Sequence, residues 1–275
     1  MSRVNRNRWI VLMVGAGLLP AGTVMAEDND AETTVAAVPA PRQQVTVAGA
    51  GAFTIPRYPG SSSVEVKAFP VVDAEFWNRL FIHTGDGVGL YLWHAPAWNA
   101  GISLDADPLH RYEKDAERLR GLGNVDQTER VNFLVAHYTS CSEIKLKLSA
   151  DVGGQGHGNI ADLEMARSRE LLPGLRLRAA VGWTWTDAQY MRTFFGVNTR
   201  QSFQSGLPVF SPEAGVSSVR GVLAAQYAVT EHWLIGGLAS VTRLLGDAAD
   251  SPITEKHAQL GGGVFFTYTW KSGQP

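Results

Sequence analysis

Few residues of this chain have the types and spacing that chemistry needs. His137 precedes Ser140 and Ser142, and an imidazole can serve as base to a hydroxyl nucleophile when the two lie within hydrogen-bond reach and a third group orients them. His137, however, shares the apolar face of an alternating run with Val131, Phe133 and Val135, which suits anchoring at an apolar–polar boundary better than catalysis. Asp105, Asp107 and His110 are metal-binding types, but they flank Pro108 in a loop, where acids are ordinarily solvated. Gly153-Gly154-Gln155-Gly156-His157-Gly158 is glycine-rich yet lacks the lysine and following helix of a phosphate loop, so it reads as a flexible turn. Cys141 is the single cysteine. It rules out an intramolecular disulfide framework and suits a small filler near a turn. No catalytic, cofactor-binding or metal-binding residue is therefore expected, and the chain is expected not to be an enzyme.

Charges at alternate positions say more. Lys145 and Lys147, Asp162 and Glu164, and Arg176 and Arg178 stand on the polar faces of three successive alternating segments. Such charges either neutralise one another across strands or line a polar pore, and mutual neutralisation is the favoured reading. With turns centred near 155–156 and near 171, Lys147 falls opposite Glu164, and Glu164 opposite Arg178, with Asp162 and Lys145 extending the network. Opposed residues on one face of an antiparallel pair are about 5 Å apart at Cβ, close enough for opposite charges to interact. A second group, Tyr190, Met191, Phe194, Phe195 and Gly196, lies in a connection too long to be a plain turn. Its aromatic content predicts local folding, as a short helix over the mouth of whatever the strands enclose.

The elements that must position these residues are strands. In 143–152, Ile144, Leu146, Leu148, Ala150 and Val152 oppose Glu143, Lys145, Lys147, Ser149 and Asp151. The same period of two runs through 174–186, 217–230 and 258–270. Strands are expected near 43–55, 64–77, 79–84, 87–94, 97–104, 129–139, 143–152, 160–169, 174–186, 217–230, 232–246 and 258–270. The connections alternate short and long, with Gly85-Asp86 breaking the rule. Alternation also fits a soluble sandwich. Three features favour an all-β transmembrane antiparallel up-and-down barrel of about twelve strands, with ten as the alternative: the alternating connection lengths, aromatics at strand ends (Trp93, Trp183, Trp185, Trp233, Trp270), and the leader described next.

Residues 1–8 carry Arg3, Arg6 and Arg8 and no acid; 9–24 are uncharged and apolar; Val24-Met25-Ala26 follows. This is the layout of a signal peptide cleaved after Ala26, and the run is short for a membrane anchor. Residues 27–42 are acidic, rich in Ala, Thr and Pro, and without periodicity. They are expected to be a disordered periplasmic extension, leaving 43–275 for the barrel. Beyond the leader no apolar stretch approaches 18 residues, so no membrane-spanning helix is expected. The formal net charge of −2, without a dominant basic patch, makes nucleic acid an unsuitable partner. A single cysteine suits export to an oxidising compartment.

Val264, Phe266, Tyr268 and Trp270 form an alternating aromatic edge at the C-terminus. It resembles the terminal-strand signal read by the barrel-assembly machinery, although Lys271–Pro275 follow it. Further motifs run along the chain: Pro56-Arg57-Tyr58-Pro59-Gly60-Ser61, Phe69-Pro70, Gly87–Leu90, Leu119–Gly123, Tyr190–Val197, Ser205-Gly206-Leu207 and Leu245–Ile253. In order and spacing they resemble the MltA-interacting protein / OmpV family of outer-membrane proteins over roughly 45–270. The resemblance implies a Gram-negative outer-membrane barrel without cofactors, in contact with outer-membrane lipid and lipopolysaccharide. It also implies a scaffold role joining a murein transglycosylase to a murein synthase. The alternatives are a small-solute channel and a surface adhesin or antigen resting on loops 105–128 and 187–216.

Overall fold

The computed structural model describes residues 45–271. The leader over 1–26, the segment 27–42 and the first residues of the expected first strand lie outside the described residues.

Twelve strands form: β1 (Val45–Pro56), β2 (Val64–Phe76), β3 (Leu80–His83), β4 (Gly87–His94), β5 (Trp98–Asp107), β6 (Thr128–Tyr138), β7 (Ser142–Asp151), β8 (Asn159–Leu172), β9 (Leu175–Thr186), β10 (Gly215–Ala228), β11 (Trp233–Leu244) and β12 (Ala258–Lys271). Each pairs antiparallel with its chain neighbours, and β1 pairs with β12, so the barrel is closed. Closure satisfies backbone groups between strands, the condition for crossing lipid with strands. Three helices sit in the connections: α1 (Ala188–Phe195), α2 (Thr199–Ser205) and α3 (Gly246–Asp250). Among the described residues no helix is long and apolar enough to cross a membrane.

The pleat sends alternate residues to opposite faces. On β7 it turns Ile144, Leu146 and Leu148 outward, where they are exposed, and buries Glu143, Lys145, Lys147 and Ser149 inside. A wall with apolar residues outside and charges inside is the inverse of a soluble fold, and it is stable only with lipid around it.

The interior has two halves. Along β1, β2 and β10–β12 it holds an apolar cluster in which Val47, Phe53, Val71, Ala224, Leu238 and Phe265 pack together, with Asp73, Arg220 and Gln226 also buried on these strands. Along β5–β9 it is charged. The apolar cluster is possible because the large rings face glycines. The space a Cβ would take at Gly236 is filled by the Phe265 ring, and that at Gly263 by Phe53.

Two expected pairings are corrected. Lys147 lies opposite Asp162, and it is Lys145 that faces Glu164, because the β7–β8 hairpin turns one residue earlier than expected. Glu164 lies opposite Gly182, and Arg178 opposite Ser168. Here β8 runs on to Leu172, absorbs a bulge between Glu170 and Leu172, and turns at Pro173-Gly174. Gly174 has φ +81°, a left-handed conformation that glycine adopts without strain.

Candidate functional site

The six charges expected on the polar faces lie on strands that turn them into the lumen, but their partners come from farther around the barrel. Lys145 Nζ donates to Asp86 at 2.6 Å and Lys147 Nζ to Asp105 at 2.9 Å. Lys147 also donates to the Gly85 carbonyl at 2.9 Å. Both lysines thus reach across β6 and β5 to the short β3–β4 turn and to β5. Arg178 Nη2 donates to Glu143 at 2.8 Å and to Glu164 at 2.9 Å, and Arg220 approaches Glu164 at 3.7 Å. Asp162 accepts the Thr184 hydroxyl at 2.6 Å. Arg130 joins Asp107 at 2.6 Å and donates to the Gly158 carbonyl at 2.9 Å. Arg176, half-buried near the periplasmic end, lies opposite Glu170.

Sequence reasoning missed Asp86, Arg130, Glu143 and Arg220 as members of this network. The polar parity of Glu143 and Arg220 was visible. What was not visible is which non-neighbouring strands long side chains can bridge. Asp105 and Asp107 were weighed as metal ligands; the structure spends them on Lys147 and Arg130. Buried pairs of this kind repay their desolvation only with good geometry, and losing one partner typically costs about 3–5 kcal/mol.

The Tyr190–Gly196 motif forms α1 and its end. Asp187 caps the helix by accepting the Tyr190 N–H at 2.8 Å, and Gly196 closes it. The helix's apolar residues recur at helical spacing: Tyr190, Met191, Phe194 and Phe195 are buried against Ile160, Leu244 and Ala248. A second cluster joins Tyr58, Leu119, Leu122, Val197 and Ile253, drawn from four different outer loops. Polar ties lock the same loops together. Arg111 donates to the Phe194 carbonyl at 3.2 Å, Gln201 to the Leu122 carbonyl at 2.6 Å, Arg118 to the Pro252 carbonyl at 2.6 Å, and Ser251 to the Phe195 carbonyl at 2.6 Å. Thr193 donates to the Gly156 carbonyl at 2.7 Å, bringing in the glycine-rich loop. Burial lowers the Arg111 guanidinium to about 10, and it remains charged at neutral pH. The five long loops therefore form one packed cap over the outer mouth. At the other rim the short turns lie beside a belt of exposed aromatics, including Trp93, Trp98, Trp233 and Trp270. His137 belongs to that belt: its ring lies 4.4 Å from Trp98, and Nδ1 is 2.9 Å from the Ala97 carbonyl.

A closed twelve-stranded antiparallel barrel with an apolar belt outside, polar groups within, short turns at one rim and long loops at the other is a transmembrane barrel of the outer membrane. The profile of the family described as MltA-interacting protein MipA matches residues 48–270, and the chain belongs to that family. It is 27% identical over 213 residues to the MltA-interacting protein of Escherichia coli (strain K12), covering 76% of this chain and 83% of that one. It is 24% identical over 157 residues to YiaT of the same strain, named for the outer membrane, covering 57% and 61% of the two chains. Among solved structures, an outer-membrane channel from Pseudomonas putida F1 superposes with a TM-score of 0.42 at 11% identity, covering 87% of this chain and 100% of that one.

Proposed function

We propose that this protein is a non-enzymatic scaffold of the outer membrane that holds a murein transglycosylase, and through it the murein-synthesis machinery, at the periplasmic face. The observation that carries this reading is the filled barrel. The inward charges pair with one another, the opposite half of the lumen holds a packed apolar cluster, and the loops cap the outer mouth. A barrel built this way offers surfaces more readily than a pathway for solutes. The name of the 27%-identical relative supplies the class of partner. Trp77 suits an anchoring role at the periplasmic rim. It is 77% exposed and sits at φ +49° in the tight β2–β3 turn, a strained conformation for a bulky residue, and tryptophan is enriched among residues that dominate interfaces.

The test is crosslinking of the full-length protein in intact envelopes, with the captured proteins identified by mass. Recovery of a murein transglycosylase, reduced by Trp77→Ala, supports the scaffold. Well-defined single-channel steps from the purified barrel in planar bilayers, without such recovery, would replace it with the channel reading.

A further inference from the structure

The barrel wall has a notch. β3 is only four residues long, so the β3–β4 hairpin turns at Thr84–Asp86, part-way up the wall. On that side the β2 ladder covers only Asp73–Phe76, and Thr84 adds hydrogen bonds to both the N–H and the carbonyl of Val72. Above it β2 continues for eight residues, Val64–Val71, roughly 27 Å at strand rise. On the far side, β5 is paired with β4 only as far as Leu104.

The sequence is written for an open edge here. Val72 turns both backbone groups toward β3, so by the two-residue period of the ladder Pro70 turns its nitrogen the same way. Proline has no N–H to offer, and within sheets it belongs on edges for that reason.

A cavity of about 540 Å³ fills this notch, within the roughly 300–1,000 Å³ usual for ligand sites. Its lining passes through the wall. Val88 and Leu104, which face outward and are 51% and 56% exposed, share it with Lys147, Asp162 and Gln259, which face the lumen.

We infer that this notch is a lateral binding portal for a single-chain amphiphile from the outer leaflet, its acyl chain between β2 and β5 and an uncharged, hydroxyl-bearing head in the lumen. The lipid-side mouth is apolar and continuous with the barrel's lipid-facing surface, which selects the chain. The charges lining the cavity balance, Asp105, Asp107 and Asp162 against Arg57, Arg130 and Lys147, with Arg130 on Asp107 at 2.6 Å and Lys147 on Asp105 at 2.9 Å, so the site has no net charge to favour a charged head. The second carboxylate oxygen of Asp105, Oδ1, is shielded from solvent and has no hydrogen-bond partner; it is placed to accept from a hydroxyl. This inference is independent of the scaffold reading.

The experiment uses the full chain refolded into lipid nanodiscs, with a monoacylglycerol carrying a diazirine in its tail as probe. After illumination, labelled residues are mapped by mass spectrometry. Labelling is expected to concentrate on Val72, Ile82, Val88 and Leu104. Ala106→Trp, at the outward rim, should reduce it roughly tenfold, a loss of about 1.4 kcal/mol of binding. Ala239→Trp, outward on β11 and away from the cavity, should leave it unchanged. If Ala106→Trp fails to fold, Val88→Trp serves the same purpose. Labelling spread evenly around the barrel would overturn the portal, as would crosslinks from the rim to residues 27–42 of the same chain. Equal labelling by a diazirine-tailed fatty acid would overturn the uncharged head.

Discussion

Arg220 on β10 reaches Glu164 on β8, at 3.7 Å, across a strand that has no side chain in the way. The residue between them is Gly182, directly opposite both. Strands are spaced about 4.8 Å apart, so the row from β8 to β10 spans roughly 10 Å, a distance arginine covers only if nothing stands on the middle strand. A Cβ added at Gly182 would lie 3.3 Å from Arg220 Nη2. Glycine here serves an ion pair and not a turn.

Gly182→Val should therefore separate Arg220 from Glu164 while leaving Arg178 on the other oxygen. A valine also suits a strand better than glycine does, so the two effects oppose. A net destabilisation of about 1–2 kcal/mol is expected, read as a lower urea midpoint for the refolded barrel. A more stable variant would show that the Arg220 contact carries little.

Glu164→Gln removes the acid shared by Arg178 and Arg220, both buried. Two guanidinium groups then lose their shared acid, with Glu143 still on Arg178 at 2.8 Å and Asp162 still within the field of Arg220. Removing one partner of a buried charge pair costs about 3 kcal/mol or more, and the loss falls on both arginines. Thermal unfolding followed by heat-dependent gel migration measures this. The double variant with Arg220→Gln should recover part of the loss, and its failure to do so would locate the damage elsewhere.

The strands were legible because lipid and lumen impose a period of two, and Leu146 beside Lys147 cannot belong to one face. Twelve strands and their bounds follow from that pattern to within a few residues. The partners of Lys145 and Lys147 were not legible. Their ammonium groups turn away from the facing acids on β8 and reach over β6 to Asp86 and Asp105, and side-chain reach past a neighbouring strand leaves no mark on local sequence. Register failed where turns hide their centres: Pro173-Gly174 closes a hairpin that the alternation alone placed two residues too early. The irregular length of the Gly85-Asp86 turn was visible, but its consequence, a hairpin too short to fill the wall, needs the closed barrel to be seen. The apolar cluster in the lumen was also hidden, because Phe53 and Phe265 take their room from glycines on neighbouring strands.

Phe194 anchors α1 in the cap, fully buried against Tyr190, whose ring lies 4.7 Å away. Truncating a buried phenylalanine to alanine costs about 3–5 kcal/mol. Most of that should fall on the cap and not on the wall, since α1 contributes no ladder hydrogen bonds. Phe194→Ala is expected to expose 187–214 to protease from outside the cell while the strands stay protected. Coincident loss of both would mean that cap and wall unfold as one unit.

The cap also has a pH-sensitive latch. Glu255 accepts the Ser62 N–H at 2.9 Å and the Ser62 hydroxyl as well, tying the last outer loop to the first. Burial pushes its carboxyl up, but the Ser62 hydrogen bonds outweigh this and hold it below the usual glutamate range. A carboxyl with a lowered folded pKa contributes stability that is present above its unfolded value, near 4.3, and is lost as pH falls through the folded value. The latch should thus hold at neutral pH and release only as the pH falls below the ordinary glutamate range. Hydrogen exchange in 57–63 should rise there, and Glu255→Gln should raise it at neutral pH and flatten the profile. A wild-type profile that Glu255→Gln leaves intact would assign the release to another group.

The two faces of β7 give the most direct test of the membrane assignment. Leu146 lies at the middle of the strand, outward and exposed, and an arginine there would sit near the bilayer midplane. Such a change costs about 2–4 kcal/mol, falling toward zero near the interfaces. Ser149 is three residues along and on the opposite face, buried in the lumen and lining the notch cavity beside Asp162. An arginine at 149 enters a lumenal space of about 540 Å³ beside the Asp162 carboxylate, which answers its charge. Leu146→Arg should therefore lower stability or abolish insertion into lipid vesicles, while Ser149→Arg should fold with a small loss. The comparison is between faces of one strand, so backbone propensity and the arginine itself cancel. Equal damage at both positions would mean that both sides of β7 are buried in protein, as in a soluble sandwich, and the barrel would not be standing in a membrane.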